Sequence, residues 1–64
     1  MNKIEIKNLA EKIANLEKII ITTDNKKERN SAMDEILLLS DGITSLEDME
    51  AIDEEIQKIL LSDS

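Results

Sequence analysis

Six carboxylates fall within nine residues, at Glu47, Asp48, Glu50, Asp53, Glu54 and Glu55, with no base among them. Neighbouring carboxylates can divide acid and base work or hold a divalent cation. Acid–base catalysis needs a cleft that moves one carboxyl away from its ordinary range. A helical chain of 64 residues is too short to build one readily, so no catalytic residue is assigned. No calcium-loop pattern is present either, because Asp41-Gly42 lacks regularly spaced oxygen ligands before it. Neither a metal site nor a cofactor is expected.

What these carboxylates can do is create a concentrated negative field, which attracts basic protein surfaces and repels nucleic acid. The alternative is a solvated helix face that keeps a small protein soluble. Asp53 stands apart from the others. At 100° per residue it falls about 20° from Leu46 and from Leu60, so it belongs at the rim of a core or beside a base such as Lys12, Lys18 or Arg29.

Composition removes most other chemistry. The chain has no His, Cys or aromatic residue. Nucleophilic triads, thiol chemistry and conventional zinc sites are excluded, as is an aromatic platform for single-stranded nucleic acid. The basic cluster Lys26-Lys27-Glu28-Arg29 is short and interrupted, in a chain of net charge -7. Direct RNA or DNA binding through it is an alternative that a chain of this charge does not favour. No disulfide can form, the N-terminal stretch is too charged for a signal peptide, and no apolar run approaches a membrane span. A cytoplasmic protein is expected.

Three helices must position these side chains, in one domain over residues 1–64. The first is expected over about 3–21. There Ile6, Leu9, Ile13, Leu16 and Ile20 repeat at spacings of three and four, with Ile at a and Leu at d of a heptad. That choice favours a parallel two-stranded coiled coil, which makes these residues candidates for self-association. The same stripe, widened by Ala10 and Ile19, can instead pack on the chain's own helices.

The second helix is expected over about 25–40. Asn25 with Glu28 resembles a capping box. Its first half has no apolar side chain except aliphatic stems, and Ser31 offers a later start. Its second half is expected to bury Met33, Ile36 and Leu37. Gly42 then reads as a left-handed stop followed by apolar Ile43, a Schellman motif. Thr44-Ser45-Leu46-Glu47 reads as a capping box for the third helix, over about 45–61. This helix presents Leu46, Met49, Ile52, Ile56, Ile59 and Leu60 on one face, with a Glu54–Lys58 pair on its surface.

The short joints favour antiparallel neighbours, hence an all-α up-down-up bundle or an oligomer built from helical hairpins. Eleven Ile, eight Leu and three Met supply the core, which is marginal for a single chain of this length. A homodimer or higher oligomer is therefore expected. Ile21 and Leu38 lie outside the main stripes and are candidates for apolar contact with another chain. Together these features describe a non-catalytic, acidic helical interaction module. One concrete form is a stoichiometric inhibitor of the phage or mobile-element type, occluding a basic surface of a host nuclease, defence or transcription protein. The alternatives are a structural or adaptor subunit docking by helix packing, and a small nucleic-acid-binding regulator.

Overall fold

The computed structural model describes residues 1–62. Asp63, which adds to the acidic charge of the last third, lies outside the described residues. Three helices are present: α1 (Lys3–Thr22), α2 (Lys26–Asp41) and α3 (Leu46–Ser62). Among the described residues there is no strand, and the class is all-α.

Each helix start has a side-chain cap. Asn2 Oδ1 accepts the Glu5 N–H at 2.8 Å, which begins α1. Asn25 Oδ1 accepts the N–H groups of Lys27 at 2.9 Å and Glu28 at 3.4 Å, so α2 starts there and not at Ser31. Ser45 Oγ accepts the Asp48 N–H at 3.5 Å. The third cap therefore sits at Ser45, with Asp48 three residues on, and the expected Thr44–Glu47 box is displaced by one residue.

The stop at Gly42 also differs from expectation. Its backbone is right-handed helical, at φ -77° and ψ -8°, and no described residue has a positive φ. Ile43 N–H donates to the Ser40 carbonyl at 3.0 Å. The last turn thus tightens to a three-residue step that satisfies an orphan carbonyl, and no left-handed residue is needed. Ile43 is then carried onto the core.

The central element is α1. It packs closely against both α2 and α3, whereas no Cα atoms of α2 and α3 come within 8 Å of each other. The α1–α3 contact is built on Ala10, Ile13 and Ala14 against Ile52 and Ile56, all buried. The alanines remove side-chain bulk, so the helix backbones approach closely. The Met1 ammonium lies 3.4 Å from Asp48 Oδ2, which places the starts of α1 and α3 at the same end. The order is therefore up-down-up. A closed triangle of helices 8–10 Å apart would have two similar short dimensions. The chain measures 35 × 26 × 16 Å, so the bundle is flattened.

On α2 the buried side is rotated from the expected one. Ala32 is buried, and Ile36 and Leu39 pack partly against the core, whereas Met33 and Leu37 are exposed. The small side chain at position 32 decides which face sits closest to α1. On α3, Leu46 and Met49 are likewise exposed, at 71% and 52%.

Candidate functional site

The gap between α2 and α3 is a groove of about 280 Å³. Its floor is Ile13 and Glu17 of α1. One wall is Ile36 and Ser40 of α2, continued by Ile43. The other is Met49, Ile52, Asp53 and Ile56 of α3. Helical spacing extends both walls outward. Met33 lies seven residues before Ser40, and Leu46 seven before Asp53, about 20° away in each case. Of the four apolar side chains expected in the core but found exposed, Met49 lines the groove, Met33 and Leu46 lie in line with its walls, and Leu37 belongs to a separate depression on α2. Two carboxylates, Glu17 and Asp53, and no basic residue line it.

Asp53 is exposed at the rim, one of the two placements that its helical angle allows. Arg29, named as a candidate base for it, instead donates from Nη2 to the Thr23 carbonyl at 3.4 Å. The other carboxylates divide by direction. Asp48 faces the Met1 ammonium. Glu55 Oε1 pairs with Lys58 Nζ at 3.5 Å, so Lys58 engages the residue three before it and not Glu54. Glu54 and Glu55 also border a crevice with Lys3 and Lys7 of α1. Glu47 and Glu50 are exposed. The six carboxylates therefore do not act as one surface: part of the charge faces α1, and Asp53 with Glu17 borders the groove. Among the described residues, no three carboxylates gather in a geometry that would hold a metal ion.

The heptad stripe of α1 serves the chain's own core. Ile13 is 4% exposed, and Ile6, Leu9, Leu16 and Ile20 are half-buried. A two-stranded seam along this stripe would have to displace α2 and α3, since both pack on α1. Ile21 and Leu38 are exposed, at 75% and 73%, and both are free of the core. Leu38 shares a shallow depression on α2 with Leu37, Asp34 and Asp41.

Sequence reasoning did not find Glu17, Ser40 or Ile43 as groove residues, and it assigned Met33, Leu46 and Met49 to the core. The apolar periodicity carried the second group. It was a correct signal for a face that seeks burial, with no information on what covers it.

The chain matches no protein-family model, no curated protein and no solved structure. Among the described residues, no helix is long and apolar enough to cross a membrane.

Proposed function

We propose that the chain is a non-catalytic protein-interaction module that acts by docking on another protein. The observation that carries this reading is the open bundle: α2 and α3 each pack closely on α1, their backbones stay more than 8 Å apart, and a partly apolar groove opens between them. Apolar side chains grouped around an acid-edged opening on a small domain favour recognition of a protein surface. The absence of His and Cys from the sequence supports a non-catalytic role. The cysteine-free sequence supports a cytoplasmic setting. Stoichiometric inhibition, by occlusion of a basic surface on a nuclease, defence or transcription protein, is the form that small size and a net charge of -7 fit.

A second reading is a homo-oligomer or a subunit of a larger assembly. It is favoured by the exposure of Ile21 and Leu38 away from the groove. Nucleic-acid binding through Lys26, Lys27 and Arg29 has less support, because Arg29 is turned back onto the Thr23 carbonyl.

The test is site-specific photocrosslinking in the cell that makes the protein, with the crosslinker placed in turn at Met49, Leu38 and Ile21. A discrete adduct with another protein is expected at one or more positions. An adduct with a second copy alone selects the homo-oligomer. No adduct at any position removes the interaction-module reading.

A further inference from the structure

We propose that the groove between α2 and α3 receives a basic amphipathic helix of another protein, which completes the open bundle as its fourth helix. This rests on the interaction-module reading above and adds the form and chemistry of the partner segment. Three observations point to that occupant.

The first is shape. Two helices that flank a third with their own backbones held apart leave a position that a fourth helix can fill, as in a four-helix bundle. The lining runs from Met49 to Ile56 along α3, about 10 Å at 1.5 Å per residue, so the groove engages about two turns of an incoming helix. A helix laid there meets the walls with side chains spaced three and four apart.

The second is the lining. Ile13 gives an apolar floor and Ile36, Ile43 and Ile56 apolar walls, with exposed Met49 beside them. Methionine is unbranched and adapts to varied apolar partners, as suits a groove that receives another chain's side chains. The polar groups are two carboxylates and one hydroxyl, at Glu17, Asp53 and Ser40. They do not converge on one small polar ligand.

The third is charge. The groove carries Glu17 and Asp53 and no base, so an incoming helix with Lys or Arg beside its apolar stripe is attracted and an acidic helix is repelled. A second copy fits poorly. It brings a net charge of -7. Its α1 is the one helix with a surplus of basic over acidic residues, and α1 is already enclosed by packing on both sides.

The absence of aromatic residues makes the test direct, because a tryptophan in a peptide reports alone. The probe is a synthetic 16-residue helix with Leu and one Trp on its apolar stripe and Lys on both flanks. Its controls are a scrambled peptide of the same composition and a version with Glu in place of Lys. The expected result is saturable one-to-one binding to the full chain, about tenfold or more tighter than either control. Met49→Lys and Asp53→Lys should each weaken binding about tenfold, while Leu38→Lys leaves it within about twofold. All three positions are exposed, and unchanged helical circular dichroism verifies each fold. Asp53→Asn provides a milder variant expected to weaken binding in the same direction.

Equal binding of the scrambled peptide would reduce the effect to bulk charge and overturn the proposal. So would loss of binding in Leu38→Lys but not in Met49→Lys, or no binding of the Lys peptide at all. A dimer by light scattering that Met49→Lys dissociates would place a second copy in the groove and overturn it as well. None of these outcomes removes the interaction-module reading, which the crosslinking experiment decides separately.

Discussion

The Thr23 hydroxyl stands between two groups that a capping box would join directly. It donates to Glu28 Oε2 at 2.9 Å and accepts the Asn25 N–H at 3.1 Å. Glu28 thus reaches back to the hydroxyl two residues before the Asn25 cap, and the hydroxyl passes the interaction on to the cap's own N–H. Asn25 Oδ1 holds the first N–H groups of α2 at the same time. This explains why α2 begins at Lys26 despite a first half without a dedicated apolar face.

Removing that start should be measurable. Asn25→Ala is expected to cost about 1 kcal/mol. For a domain of this size that lowers the melting temperature by about 4–8 °C. Thr23→Val should cost less, and a double-mutant cycle with Glu28→Gln should show the two residues to be coupled. Thermal melts followed by circular dichroism at 222 nm are the check. Strict additivity of Thr23 and Glu28 would contradict the relay through the hydroxyl.

Gly42 should tolerate a side chain. Its backbone is in the right-handed region, and an added Cβ would meet only the Leu39 carbonyl, at 3.6 Å. Gly42→Ala is therefore expected to leave stability unchanged or raise it by about 0.4–1 kcal/mol, through a less flexible unfolded chain. A left-handed C-cap would predict the opposite sign, so one melting curve separates the two geometries.

The core is narrow enough for single truncations to matter. Ile13 and Ile52 are among its few buried large side chains. Ile13→Ala or Ile52→Ala should cost about 2–5 kcal/mol, a large part of what a domain of this size has. Ala14, fully buried against α3, should resist enlargement: Ala14→Leu is expected to cost about 1–3 kcal/mol. Leu38→Ser, at an exposed position, should stay within about 0.5 kcal/mol. Urea unfolding of the four variants gives the ranking, and a large loss in Leu38→Ser would show that another chain buries it.

The carboxylates of α3 should not contribute equally to partner binding. Asp53 borders the groove, whereas Glu55 already faces Lys58. With the Lys-bearing helical peptide as partner, Asp53→Lys should weaken binding about tenfold and Glu47→Lys by about twofold or less. Raising salt should weaken binding overall, since exposed charges are screened beyond about 10 Å at 0.1 M. Equal losses at both positions would indicate attraction to net charge alone.

Sequence alone determined the three helices, the cap at Asn25 and the burial of Ile13, Ile52 and Ile56, and it left Asp53 two placements, of which the structure takes the rim. These follow from local rules. A cap needs a side-chain acceptor at a fixed offset, and a 3.6-residue repeat places apolar residues on one face. Only the tertiary structure decided what the faces meet. Periodicity specifies a direction around each helix but not the angle at which neighbouring helices sit around α1. Ala10 and Ala14 remove bulk where α3 approaches α1, and buried Ala32 is a similarly small residue on α2, so each flanking helix settles close to the central one. The backbones of α2 and α3 consequently stay apart, and part of a pattern that reads as closed core, Met49 included, lines a groove between them.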